Sequence, residues 1–219
     1  MIRPNDPNDS IDPTDPKDSM DSKDAIDPKD ATDAITIVSG LPRSGTSMMM
    51  KALEAGGMQI LTDNIRKSDE DNPKGYYEFE RVKKIKDDTE WLPQAQGKVV
   101  KMISALLKHL PNQYNYKIIF MQRKMAEILA SQKKMLIRRG EPTDKVPDIE
   151  MAQIYQQHLN QVKAWLQNQP NIDVLYTDYN QIVKNPVPYI KEINEFLNNR
   201  LDTDKMMSVI DGKLYRQRK

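Results

Sequence analysis

Ile35-Thr-Ile-Val-Ser-Gly40-Leu-Pro-Arg-Ser-Gly45-Thr-Ser47 decides how the rest of the chain is read. Ile35 to Ser39 is a short run rich in β-branched residues and bounded by a glycine, which predicts a buried strand. From Thr46 the pattern turns helical and is predicted to run to Glu54, where Gly56-Gly57 stops it. Glycines between a strand and a helix let the backbone curl so that its N–H groups point inward, and the helix N-terminus favours an anion. Residues 40–47 are therefore read as a phosphate-binding loop.

What the loop lacks narrows its chemistry. A nucleoside-triphosphatase P-loop places Lys directly after the second glycine, where it reaches the β- and γ-phosphates. Here Thr46 stands in that position, and the cation is inside the loop, at Arg43. The later strand Tyr116-Lys-Ile-Ile-Phe-Met121 is followed by Gln122 and Arg123, not by a metal-binding carboxylate. The pattern fits a phosphate monoester flanked by one further anionic group, bound without Mg²⁺. A P-loop kinase with an altered loop, and a nucleotide-binding module without catalysis, are the alternative readings.

Working outward, Lys98-Val-Val-Lys-Met-Ile103 predicts a second strand, Tyr116 to Met121 a third, and Ile172-Asp-Val-Leu-Tyr176 a fourth. Residues 61–75 read as a loop, with Asn72-Pro73 and Gly75, and a helix is expected over about residues 77–88. Met125, Ile128, Leu129, Gln132 and Leu136 fall at helical spacing, predicting a helix over residues 124–138. Pro142 and Pro147 mark a loop. A helix over residues 149–168 turns Ile154, Leu159, Val162 and Trp165 toward the core. Asn185-Pro186 opens another, carrying Ile190, Ile193, Phe196 and Leu197. Strands alternating with helices imply an α/β fold with a mostly parallel central sheet and helices on both faces. In such sheets the ligand lies at the carboxyl ends of the strands.

The 219 residues divide into a tail, 1–33, and one domain, 34–219. From Asp6 to Asp33 every third residue is Asp, with Pro recurring between them. Such a segment buries too little apolar surface to offset the entropy of ordering, so disorder is expected. In a polyproline II conformation, with three residues per turn, its carboxylates would share one side. The tail carries ten Asp and four basic residues, a net −6, and the whole chain carries +1, so the domain carries +7, which suits an anionic ligand. With no cysteine there is neither a disulfide framework nor a thiolate metal site, and two His with scattered acids give no ligand spacing; no metal is expected. No apolar run reaches the roughly 20 residues of a membrane helix, and the start is acidic rather than signal-like. A cytoplasmic protein with no membrane span and no nucleic-acid partner is expected.

Leu41-Pro-Arg-Ser-Gly-Thr-Ser47 resembles the 5′-phosphosulfate loop of the sulfotransferases, enzymes that use 3′-phosphoadenosine 5′-phosphosulfate (PAPS) as co-substrate. The Pro-Arg-Ser-Gly-Thr form is typical of the protein-tyrosine and bacterial branches; the cytosolic branch usually has Lys at the place of Arg43. The resemblance extends over about residues 35–200 and implies the P-loop sulfotransferase-like fold. It implies that Arg43 meets the bridging oxygen and the sulfonate, while Ser44, Gly45, Thr46 and Ser47 hold the 5′-phosphate. In the family an Arg ending a central strand and a Ser eight residues on bind the 3′-phosphate; Arg123 and Ser131 match. A looser match from Val174 to Leu197 implies that Tyr176 lies beside the adenine.

The resemblance fails at the proton acceptor. The cytosolic branch carries a Lys-Thr-His run with His as base; here the run is Lys101-Met-Ile103, which keeps only the Lys. His109 lies six residues further on and reads as a loop or packing residue. The protein-tyrosine branch uses a Glu, and Gly75-Tyr-Tyr-Glu78-Phe-Glu80 offers two among aromatics that would raise a carboxyl pKa. Glu78 is the expected base, with Glu80 second, and Lys101 would stabilise the sulfonate in flight. The thirteen Met, with Met48-Met-Met50 on the first helix, are expected to pack the core, with an adaptable apolar acceptor pocket as the alternative. The acceptor, whether small molecule, carbohydrate, lipid or peptide, has no decodable motif.

Overall fold

The computed structural model describes residues 33–63, 65, 75–143 and 145–210. All of the acidic repeat but Asp33 therefore lies outside the described residues, as does most of the loop expected at 61–75. Four strands, β1 (Ile35–Gly40), β2 (Val99–Lys101), β3 (Tyr116–Gln122) and β4 (Ile172–Asp178), form one sheet in the order β2-β1-β3-β4, and every pairing is parallel. The register sets Gly40 beside Met121 and Gln122 beside Asp178, so β1, β3 and β4 end nearly level. Between and after them run α1 (Thr46–Ala55), α2 (Leu92–Ala95), α3 (Met125–Arg138), α4 (Asp148–Leu166), α5 (Tyr179–Lys184), α6 (Pro186–Phe196) and α7 (Thr203–Ser208), with 3-10 helices at Glu80–Lys84 and Ser104–His109.

Alternation along the strands divides the apolar residues into two cores, as the period of two requires. Ile35 and Ile37 of β1, Val100 of β2 and Ile118 and Phe120 of β3 enter the first, where Trp91, Leu92, Leu107 and Leu166 cover them. Val38, Val99, Ile119 and Met121 enter the second, under Met49, Met50 and Leu53 of α1, Ile182 of α5, Ile190 and Ile193 of α6 and Met206 of α7. Helices thus cover both faces, which is what strands apolar on both sides need. Met49 and Met50 are fully buried, so the methionine run does pack the core.

Two expectations about helices fail. Residues 77–88 do not form one helix. Tyr77 has φ 53, Phe79 is extended, and only Glu80–Lys84 wind, into a 3-10 helix. Backbone groups here bond across the chain instead: Thr62 Oγ1 donates to Glu78 O (2.8 Å), and the Glu80 N–H donates to Asp63 Oδ2 (2.6 Å). The turn is then closed by Arg81, which grips both oxygens of Asp88 at 2.7 and 2.6 Å, and by Trp91, whose indole N–H donates to Asp88 O. Trp91 is buried, edge-on to Phe79. The second failure is Ile154, which is 47% exposed. The apolar stripe of α4 meets the first core only from Leu159 onward, through Val162 and Trp165. At the level of Ile154 its neighbour is α3, reached when Tyr155 Oη donates to Gln132 Oε1 (2.6 Å). β2 is also shorter than expected, and it leaves Ile103 45% exposed.

The helix α4 also docks on the second 3-10 helix, where Ser104 Oγ and His158 Nε2 lie 2.8 Å apart. Burial, and then the Lys108 charge, hold the His158 imidazole below its ordinary 6.5.

Two measurements check this packing. Trp91→Ala is expected to cost about 3–5 kcal/mol in urea unfolding, and Ile154→Ala less than about 0.5 kcal/mol. A lowered folded pKa means that the unfolded chain binds more protons below pH 6.5. Stability therefore falls as pH drops from 6.5 through the folded value, and His158→Gln should show a shallower fall between pH 7.5 and 5.

Candidate functional site

The loop at residues 40–47 leaves β1 at the carboxyl edge of the sheet and enters α1. Its curl depends on two glycines. A Cβ on Gly40 would stand 2.6 Å from both the Met121 carbonyl oxygen and Ser44 Oγ. Gly45, the N-cap of α1, has φ 101 and lies so close to the Tyr179 ring that a Cβ there would collide with it. Arg43 takes φ 70, a conformation that non-glycine residues avoid. Ser44 is 1% exposed, and its Oγ has no hydrogen-bond partner among the described residues. A buried hydroxyl left so is costly unless something else meets it, and it sits within the curl of a helix-start loop.

Three cationic side chains converge on this loop. Arg43 Nε donates to Ser131 Oγ of α3 at 2.9 Å, joining two residues that the sequence placed in one site. Arg123 Nη1 donates to the Arg43 carbonyl at 3.0 Å, and its guanidinium lies over the Tyr179 ring at 4.5 Å. Lys101 Nζ, from the end of β2, donates to Ser47 Oγ (3.1 Å) and to the Tyr76 carbonyl (2.5 Å). Arg43, Ser44, Gly45, Thr46, Ser47, Lys101, Arg123 and Ser131 thus share one neighbourhood.

Glu78 stands at its margin. The Tyr76 carbonyl ties this segment to Lys101, while the Glu78 carboxylate, 21% exposed, has Lys83 Nζ at 3.8 Å. Glu80 pairs with the same Lys83 at 2.7 Å. Tyr77 is turned the other way, its Oη donating to Glu54 of α1 at 2.7 Å; burial, and then that bond, push its phenol up. His109 closes the second 3-10 helix and is partly buried there, as a packing residue would be.

Tyr176 is not brought to the loop. It lies on the first-core face of β4, 37% exposed, with its ring 5.5 Å from Phe120 and the Lys163 ammonium 5.3 Å away, and burial pushes its phenol up. The aromatic ring at the loop is Tyr179, three residues on and buried in the second core. The signal for it is Asp178, whose Oδ1 accepts the Gln181 N–H at 2.9 Å as a helix N-cap. An Asp three residues before a Gln at the end of a strand marks Tyr179 as the first residue of a new helix, at the edge where α/β ligands bind. Sequence reading also missed Glu127 and Asn180. Glu127, 1% exposed, accepts from Arg123 Nε at 3.0 Å, at the i, i+4 spacing of a helical ion pair. Asn180 Nδ2 donates to both Glu127 oxygens at 2.9 Å.

Among the described residues no group of three or more His, Asp or Glu is placed to hold a metal ion, and no helix is long and apolar enough to cross a membrane.

No curated protein sequence matches the chain. Among solved structures it is similar to the mouse sulfotransferase SULT7A1 complexed with PAP, at TM-score 0.43 and 18% identity, covering 82% of this chain and 63% of that one. It is also similar to the sulfotransferase domain from the curacin biosynthetic pathway, at TM-score 0.44 and 14% identity, covering 76% of this chain and 74% of that one. The chain thus spans less than two thirds of the mouse protein's length. The family model for the sulfotransferase domain matches residues 33–215, nearly the whole chain beyond the acidic repeat, and the protein belongs to that family.

Proposed function

We propose that the protein is a sulfotransferase that moves the sulfonate of PAPS to a hydroxyl, or an amine, of an acceptor. The observation that carries this reading is the convergence of Arg43, Lys101 and Arg123 on a curled loop whose buried Ser44 hydroxyl has no partner among the described residues. That arrangement fits a donor with a 5′-phosphosulfate and a separate 3′-phosphate. It does not fit the Lys-and-carboxylate set that a Mg²⁺–nucleoside triphosphate requires.

Ser44 to Ser47 and the start of α1 would hold the 5′-phosphate through backbone N–H groups and hydroxyls, and Arg123 with Ser131 the 3′-phosphate. The donor supplies an activated sulfonate, whose S–O bond to the bridging oxygen breaks as the acceptor oxygen bonds to sulfur. Arg43 and Lys101 stabilise the charge that shifts to the bridging and sulfonate oxygens. Glu78 takes the proton leaving the acceptor, a role that the exposed Ile103, two residues beyond β2, cannot fill. Tyr176 beside the adenine is not retained, because its ring packs against Phe120 and Lys163; Tyr179, which abuts Gly45 and lies under Arg123, takes its place in the proposed site.

Calorimetric titration with 3′-phosphoadenosine 5′-phosphate, beside ATP with and without Mg²⁺, tests the donor. Micromolar, metal-independent binding of the former with weak ATP binding is expected; preference for Mg²⁺–ATP would replace this reading by a kinase-like one. Glu78→Gln should lower kcat by about 10²- to 10⁴-fold and leave binding of the bisphosphate unchanged. An unchanged kcat removes Glu78 as the base.

A further inference from the structure

A carboxylate buried beside a site for anions is electrostatically unfavourable unless its place is needed. Glu127 is such a group, at 1% exposure one residue turn from Arg123. Its surroundings explain why it is Glu. The Lys124 N–H, at the start of α3, donates to Asn180 Oδ1 at 3.2 Å. That bond fixes the Asn180 amide, so its Nδ2 must point at position 127, where it meets both oxygens at 2.9 Å. Arg123 Nε donates to Oε2 from the other side at 3.0 Å. Both oxygens at position 127 thus accept from donors fixed elsewhere, and a side chain that accepts on both oxygens satisfies them.

The guanidinium held in this way also meets the loop and a ring. Its Nη1 bonds the carbonyl of Arg43, the loop residue at φ 70, and its plane rests over Tyr179, whose ring abuts Gly45. A guanidinium recognises phosphate through the orientation of its plane, so what fixes the plane fixes the selectivity. We propose that Glu127 and Asn180 are a positioning pair that orients Arg123, and that this pair sets the preference for nucleotides bearing a 3′-phosphate. The pair joins α3 to α5 across the sheet edge, so the 3′-phosphate contact and the backbone of Arg43 are held by one strut. The inference rests on the donor reading above and adds two residues that do not themselves touch the donor.

The test is the ratio of dissociation constants for adenosine 5′-monophosphate and 3′-phosphoadenosine 5′-phosphate, measured by calorimetry on the full chain. In Glu127→Gln the new Nε2 faces either the Asn180 or the Arg123 donor, and the ratio should fall about tenfold or more. The double variant Glu127→Gln with Asn180→Asp restores an acceptor opposite the new donor, and keeps both the Lys124 contact and the charge. It should recover most of the ratio, which a merely structural loss at position 127 would not do. Asn180→Ala, which leaves the Arg123–Glu127 pair intact, should lower the ratio by a smaller factor and serves if Glu127→Gln does not fold. A folded Glu127→Gln or Asn180→Ala with the ratio of the unaltered protein overturns the inference while leaving the donor reading in place. An unaltered protein that does not distinguish the two nucleotides overturns the donor reading, and the inference with it.

Discussion

The closeness of the loop backbone to its surroundings is the constraint from which the rest of the site follows. β1 ends at Gly40 hard against the Met121 carbonyl of β3, and α1 begins at Gly45 hard against Tyr179. Neither approach leaves room for a Cβ. Because the loop is pressed onto the C-terminal ends of the central strands, side chains from β2, α3 and α5 reach it with short, direct bonds. Lys101 arrives from one flank; Arg123, Ser131 and Tyr179 arrive from the other. A looser loop would put these groups out of reach of one another, and the convergence of positive charge would be lost.

That convergence is balanced locally. Arg123 is 8% exposed and has Glu127 and the Arg43 carbonyl as partners. Lys101 is shared between a hydroxyl and a carbonyl. Each cation is thus held by acceptors in the protein before any ligand arrives, which removes most of the entropy that a long flexible side chain would lose on binding.

Much of this was legible in the residues, and the limits are physical. The strands at 35–40, 116–122 and 172–178 and the helices at 46–55 and 125–138 declare themselves because β-branched runs, apolar periodicity and bounding glycines are written in consecutive residues, even where the strand partners lie far along the chain. The segment 77–88 misleads because its backbone partners are Thr62 and Asp63, far away in sequence, and no local pattern reports them. Ile154 misleads because periodicity says which face of a helix is apolar, but not how far along the helix that face is covered. Arg43 bonds Ser131 and its carbonyl accepts from Arg123, so residues that the family resemblance assigns to one donor lie close in space. Tyr176 and Tyr179 show how an alternating strand that turns into a helix changes faces within three residues. Glu127 was open to an i, i+4 reading with Arg123, but its other partner, Asn180, lies 53 residues on, and no local pattern reports that pairing.

The two cores differ in material. The one opposite α1 holds Trp91, Tyr116 and Phe120, planar groups with few rotamers, beside one buried methionine, Met102, among the described residues. The one that carries α1 holds Met49, Met50, Met58, Met121 and Met206, with Met48 and Met207 at its edge, beside one buried ring, Tyr179. Thioether chains are unbranched and refill gaps by rotation about three bonds, whereas rings cannot. The sheet therefore has a stiff side and a compliant side, and the anion loop is mounted on the compliant one. Small displacements of α1 are absorbed there by side-chain rotation, without opening voids and without disturbing the strands that hold the cations in place.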